Sequence, residues 1–421
     1  MSSLARKMAQ HAPRALIFLT GSAGAQGLAA VTGLFLARWM PVPDYALYTV
    51  MITLIGTMNV ITKGGTHFGY ASILGRVWPD KARAAQAVKA VLTVRRSVSL
   101  WTLPPVVFLT AWLLHKNGAS FGEIVALCGL LFAMWWADMQ TRLVDQILFY
   151  AHLTTRVQML DTILAALRLT GATALYLLSF LNVISAVVLS VLVSLSRVPF
   201  IVRWVHRLVP VREAAIDQSD IDIIKDSVRK QLPVEIYMVL QAQIILVLLS
   251  LFGTGTDVAG FGALGRIGFI LVPLMMFSSA FLIPIYTRAK EHLISLLFGL
   301  VFLAALPCLV LIALTYLYPD AMLWLIGDNY AGLQVEVLWA VSVSAATRLA
   351  TIYRNLIGSR GWIRFNLLQI PLFFVWIVAA IFSLDISTIV GAFQLQLGFA
   401  AIIAIAASVD LIVSGIVQKP K

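Results

Sequence analysis

The sequence predicts an all-α integral membrane protein, with about twelve transmembrane helices in two six-helix bundles around a central cavity. Three observations predict it. The 421 residues are 60% hydrophobic and only 12% charged, with a mean hydropathy of +0.92. A soluble domain carries roughly 25% charged residues, so this chain has too little polar surface to cover a water-soluble globule. The apolar residues fall in long continuous runs of helix-spanning length, not in the alternating segments of about 10 residues that build a barrel. Lys and Arg gather in alternate turns, as the positive-inside rule requires.

In chain order, the spans lie near 14–38, 45–67, 97–114, 121–147, 157–180 and 183–204, then 232–252, 258–286, 293–317, 332–354, 365–384 and 387–417. The start (Arg6, Lys7, Arg14) is basic, and Ala23 to Ala25 mimics a cleavage site. Hydrophobicity runs on to Leu36, which reads as an uncleaved first helix rather than a signal peptide. One side of the membrane collects Lys63, Arg76 to Arg96, Arg156, Arg203 to Lys230, Arg288, Lys290, Arg354 to Arg364, Lys419 and Lys421. The other side has little beyond Arg38 and Lys116. Both termini are therefore expected in the cytoplasm of a multi-pass inner-membrane protein. The outer turns are short and leave no room for an extracytoplasmic domain.

Two inner loops carry helical patterns. Ala82, Ala85, Val88 and Leu92 share one face of an interfacial helix over 78–94. In the charged segment 206–231, Ser219 and Asp222 resemble a capping box, and Ile221, Ile224 and Val228 form a stripe. This segment divides the chain into a first bundle, 1–205, a cytoplasmic linker, 206–231, and a second bundle, 232–421. A faint repeat agrees: Leu36 to Asp44 and Leu249 to Asp257 have the same spacing, each Asp followed four residues later by an aromatic, Tyr48 or Phe261. Each Asp is expected to cap the next helix.

A charge at mid-bilayer costs about 2.5–3.5 kcal/mol on insertion scales, so intramembrane charges mark candidate sites. Arg197, Arg348 and Asp410 lie close enough to the cytoplasmic end to reach the interface. Arg168 lies about 15 Å from either end of its span, and Arg266 about 12 Å into its own. Each calls for a wet cavity or a carboxylate. A cavity-facing guanidinium would hold phosphate bidentately, whereas the structural alternative is an ion pair, such as Arg168 with Asp161. Asp138, Arg142 and Asp145 stack on one face of the fourth span and can neutralise one another. Alternatively Asp138, Asp145 or Glu235 exchanges a coupling H⁺ or Na⁺. Gln26 and Gln243 either bridge helices or hydrogen-bond sugar hydroxyls.

Other chemistries find little support. The net charge of +12 follows membrane topology and does not indicate nucleic acid. Cys128 and Cys308 sit in apolar runs, and no His or Cys pair has metal-ligand spacing. No P-loop or HExxH motif occurs. Asp220-Ile-Asp222 matches a DxD pattern without a nucleotide fold around it. No cofactor is expected.

The opening GSAGAQGLAAVTGLFLARWMPVPDYALYTVMITLIG resembles the first hairpin of bacterial polysaccharide flippases. LPVEIYMVLQAQIILVLLSLFGTGTDVAGFGALGRIGFIL resembles the start of their second half, with Arg266 as the basic residue after a small-residue run. LIGDNYAGL resembles the turn before their tenth span. These proteins are the polysaccharide branch of the multidrug/oligosaccharidyl-lipid/polysaccharide exporter (MOP) superfamily. The resemblance implies a non-enzymatic flippase that moves an undecaprenyl-diphosphate-linked oligosaccharide by alternating access. Its implied partners are the lipid-linked glycan, membrane lipids and a polysaccharide polymerase. Relatives that flip lipid II usually have two further spans. Drug-antiporter relatives often carry an acid in the first span, and none precedes Asp44 here. A cation-coupled exporter of small amphiphiles is one alternative function. A membrane glycan polymerase or transferase is the other.

Overall fold

The computed structural model describes residues 24–289 and 291–413, with helices, turns and no strand among them. The basic start, Ala23 of the cleavage-like stretch, Lys290, Lys419 and Lys421 lie outside the described residues. The elements in order are α1 (24–39), α2 (Val42–Ile61), α3 (Thr66–Val77), α4 (Lys81–Lys116), α5 (Phe121–Thr141), α6 (Gln146–Tyr150), α7 (Thr154–Leu177), α8 (Val183–Leu208) and α9 (Gln218–Phe252). There follow α10 (Gly255–Ile267), α11 (Val272–Phe277), α12 (Ile283–Arg288), α13 (Leu293–Leu317), α14 (Pro319–Ile326), α15 (Gln334–Gly358), α16 (Gln369–Ser383) and α17 (Ile389–Asp410). Ten helical stretches among the described residues are long and apolar enough to cross a membrane. The apolar α16 is shorter, and α1 is described only from residue 24. The fold is all-α and multi-pass.

The chain forms two compact units. One comprises Pro43–Gln243 with the described residues up to Thr32, and the other comprises Gly33–Val42 and everything from Ile244 onward.

In the first unit, two predicted spans end early in tight turns. The second gives way after Ile61 to a turn over 62–65, where Gly64 (φ 43°) and Gly65 (φ 82°) take left-handed conformations. The fourth stops at Thr141, turns over 142–145 and resumes as α6. The predicted interfacial helix and the third span are one 36-residue helix, α4, about 54 Å long. Its buried face is Ala84, Ala85, Ala87, Val88, Val91 and Val94, packed with Tyr70, Ile73 and Leu74 of α3 and Ile221 and Ile224 of α9. This part of α4 is core rather than membrane surface, because small residues let its neighbours approach closely.

Residues 218–231 continue without interruption into the predicted seventh span as α9. The predicted Ser219–Asp222 box is replaced by Asp217, whose Oδ1 accepts the Ser219 N–H (2.8 Å) and hydroxyl (2.7 Å). Those two bonds, hydroxyl first, and the neighbouring Arg83 hold the Asp217 carboxyl below the usual carboxylate range. Arg83 of α4 also grips Asp220 bidentately, 3.0 Å for each bond. The DxD pair is thus divided: Asp220 is tied to Arg83, while Asp222 accepts from Gln218 (3.2 Å). The predicted stripe on α9 packs where expected, with Ile224 fully buried.

Gly69 of α3 faces the α9 backbone, and a Cβ there would lie 2.8 Å from Ile224 Cα. Gly69→Ala is expected to destabilise the first unit by about 1–3 kcal/mol through overpacking. A lowered midpoint of thermal unfolding in detergent checks this, and an unchanged midpoint refutes it.

In the second unit, the predicted eighth span is segmented. A 3₁₀ turn (Gly268–Leu271) separates α10 from α11, and a π turn (Ser278–Leu282) separates α11 from α12. Pro273 and Pro284 each stand in a helix's first turn, where a missing N–H costs little. Asp257 joins a capping box with Thr254, accepting the Thr254 N–H at 2.9 Å. Asp44 lies in the first turn of α2 and has no side-chain hydrogen bond of this kind. The core joins Leu282 and Tyr286 to Leu297, Ile352, Leu356 and Ala407. Arg38, at the C-terminal end of α1, donates to the Trp324 carbonyl (2.5 Å) and lies over its ring at 4.7 Å.

Candidate functional site: a charged cavity in the first unit

The two interrupted spans place charges where a continuous helix could not. The 62–65 turn carries Lys63, and the 142–145 turn carries Arg142 and Asp145. With Asp138 of α5, Asp161 and Arg168 of α7, Arg197 of α8 and Ala29 of α1, they line one cavity of about 380 Å³. This volume falls within the range of small-ligand sites, about 300–1,000 Å³.

The carboxylates are already engaged. Arg197 joins α7 to the α5–α6 turn, through Nε to Asp161 Oδ1 (2.8 Å) and Nη2 to Asp145 Oδ2 (3.0 Å). Its side chain is 16% exposed, so the predicted escape of Arg197 to the interface does not occur. Two carboxylates within reach in a water-poor site offset the desolvation of this guanidinium, and no interfacial position offers them. Arg142 binds Asp138 (3.0 Å), as the spacing predicts, but Asp145 turns away because α5 has ended before it.

Arg168 does not pair with Asp161, which Arg197 has taken. Its Nη2 donates to the Tyr48 hydroxyl (3.0 Å), a neutral partner. The Lys63 ammonium makes no ion pair or hydrogen bond among the described residues, although Asp138, Asp145 and Glu235 lie within its electrostatic reach. The lining therefore holds four cations against three carboxylates, and two of the cations have no carboxylate of their own. Behind it, the fully buried Arg95 donates to the Asp138 carbonyl (2.9 Å), capping the broken end of α5, while its Nε and Nη2 have no partner among the described residues. The arrangement can receive an anion through charge-assisted hydrogen bonds.

No family model matches the sequence, and no curated protein matches it. Solved structures match over nearly its whole length. An inward-facing multidrug resistance MATE family transporter of the MOP superfamily aligns with TM-score 0.66 at 16% identity, covering 93% of this chain and 94% of its own. Lipid II flippase MurJ, inward closed, aligns with TM-score 0.61 at 12% identity, over 95% and 87%. The Vibrio cholerae MATE transporter VcmN aligns with TM-score 0.54 at 15% identity, over 99% of each chain. The chain shares the fold of these structures.

Within this fold, the cavity brings together Arg168, Asp138 and Asp145 from the predicted site residues. Glu235 of α9 is half-buried in the same unit and reaches the group through the field of Lys63. Gln243 is buried, and its Oε1 has no partner among the described residues. Gln26 is exposed on α1. Arg266 belongs to the second unit, in the last turn of α10, where its guanidinium lies 5.6 Å from the Phe269 ring centre. Gly33 makes room for it, since a Cβ there would stand 3.2 Å from Arg266 Cδ. Lys63 and Arg95 were hidden in the sequence among the ordinary basic residues of inner loops. Gly64-Gly65 directly after Lys63 was the signal that its helix ends there.

Proposed function

We propose that this MOP-fold chain is a flippase for an oligosaccharide carried on an undecaprenyl-diphosphate-type lipid, moved by alternating access across a bacterial inner membrane. The observation that carries this reading is the cationic excess of the cavity, with Lys63 and Arg168 free of carboxylates. A diphosphate would bridge them and gain charge-assisted bonds that a neutral sugar cannot make. Arg266 of the second unit is a further candidate for phosphate, and Gln26 and Gln243 are candidates for the sugar hydroxyls. Both termini would be cytoplasmic, and a polysaccharide polymerase would use the product. Asp138, Asp145 and Glu235 are the candidates for H⁺ or Na⁺ coupling.

The test is reconstitution of the protein into liposomes with a fluorescent diphosphate-linked glycan. Protection of the label from an external quencher is expected to equilibrate faster than in empty liposomes. A rate equal to empty liposomes refutes the reading. Flipping that ignores imposed H⁺ and Na⁺ gradients would remove the coupling role of the carboxylates.

A second reading, cation-coupled export of small amphiphiles, is favoured by two observations. Three carboxylates line the cavity, and the inward-facing MATE transporter aligns better than MurJ. Uptake of a cationic dye by the same liposomes without glycan flipping would establish it in place of the first.

A further inference from the structure

A second, larger cavity of about 550 Å³ lies outside the charged site, around the C-terminal end of α8 and the turn after it. Its lining includes Arg203, His206, Arg207 and Arg212, with Glu213 as its one carboxylate. The spacing sorts the two faces of α8. Ile201 and Val205 are fully buried in the core, which turns Arg203, His206 and Arg207 outward on the opposite side. The turn beyond is fixed rather than loose. Val209 and Val211 are buried, and Lys89 of α4 donates to the carbonyls of Arg212 (3.3 Å) and Ala214 (2.6 Å). That anchor uses the Arg212 backbone and leaves its guanidinium free, close enough to His206 for their charges to interact.

The same face of the protein contains basic residues that are neutralised: Arg83 by Asp217 and Asp220, and Lys230 by Asp226. Arg203, Arg207 and Arg212 are not. None has an ion pair among the described residues, and Glu213 binds none of them. Three unpaired guanidinia held around a concave surface form an anion site. Its surroundings select the kind of anion. Phe200, 48% exposed, and Trp204 lie one turn and less from Arg203 on α8, with ring centres 6.3 Å apart. Trp204 is partly buried against the core, and an exposed aromatic such as Phe200 beside a basic end marks the level of lipid headgroups.

We infer that this cavity binds the phosphate of an anionic phospholipid headgroup, with Arg203, Arg207 and Arg212 as the phosphate ligands and Phe200 against the acyl chains. The positive-inside rule puts this end at the anionic cytoplasmic leaflet, where basic pockets capture such headgroups. The site is distinct from the cavity lined by Lys63 and Arg168, so its lipid would anchor the end of α8 and the turn after it without occupying that cavity.

The test uses the full chain purified from vesicles of phosphatidylcholine containing phosphatidylglycerol or cardiolipin, with bound lipid counted by native mass spectrometry. The wild type is expected to retain anionic lipid and lose phosphatidylcholine. The triple variant R203Q/R207Q/R212Q is expected to retain it on the order of 100-fold more weakly. Its unfolding midpoint in a zwitterionic detergent should not fall, because these side chains have no ion-pair partners among the described residues. A control variant, K225Q/R229Q/K230Q, should retain lipid as the wild type does. Undiminished retention by the triple variant overturns the site. Equal loss in both variants overturns it in favour of diffuse surface charge. Binding of inorganic phosphate alone, without any preference for lipid, overturns the assignment to a headgroup.

Discussion

Replacing both Lys63 and Arg168 with Ala is expected to slow glycan flipping by about 100-fold or more. A hydrogen bond to a charged group contributes about 1.5–3 kcal/mol, or roughly 10- to 150-fold, and both cations are free to make such bonds to a diphosphate. Neither has a carboxylate to strand when it is removed. Arg168→Ala leaves the Tyr48 hydroxyl unpaired and costs about 1–3 kcal/mol of stability, so flipping is compared at equal amounts of folded protein. Conservative changes separate charge from shape. Lys63→Arg should keep most activity, while Arg168→Lys should lose part of it, because an ammonium lacks the guanidinium's planar fork. Normal flipping by the double Ala variant would show that the anion does not bind here.

Arg197→Ala is expected to be the most destabilising single change in the cavity, at about 3–5 kcal/mol. The residue bridges Asp145 and Asp161. Asp145 is only 8% exposed, and without Arg197 it would remain as a buried charge without its ion-pair partner. Because the cost arises from stranded carboxylates, removing them should restore stability. The triple variant R197M/D145N/D161N should recover most of the lost unfolding midpoint, since neutral groups of similar size replace a buried ionic cluster at little net cost. Thermal unfolding in detergent reads both effects. If R197A melts with the wild type, the cluster is screened by water and Arg197 is available to ligand. In that case R197A should impair flipping without affecting folding.

The candidate site was only partly legible in the sequence. Arg168, Asp138 and Asp145 stood out because a charge within an apolar run needs a reason to be there. Which charge meets which could not be read from spacing. Asp161 and Arg168 are seven residues apart on one helix, a natural pair, yet Asp161 bonds Arg197 from α8. Asp145 follows Arg142 by three residues, but the helix ends between Asp138 and Asp145. Lys63 carried no signal of its own, because loop lysines on the basic side are common and only the tertiary fold turns this one toward a cavity.

The sequence by itself determined that the chain is all-helical and membrane-spanning. Those properties follow from the cost of exposing apolar residues to water and backbone polar groups to lipid, which each segment meets locally. It also placed the stripe on α9 and the start of α13 at Leu293. Only the tertiary structure decided that α4 and α9 each run on past the membrane as long helices, that two spans break beside the cavity, and that Arg197 takes both carboxylates. These outcomes depend on contacts between helices far apart in sequence, where small residues set how closely backbones approach and buried charges take the partner that desolvation leaves them.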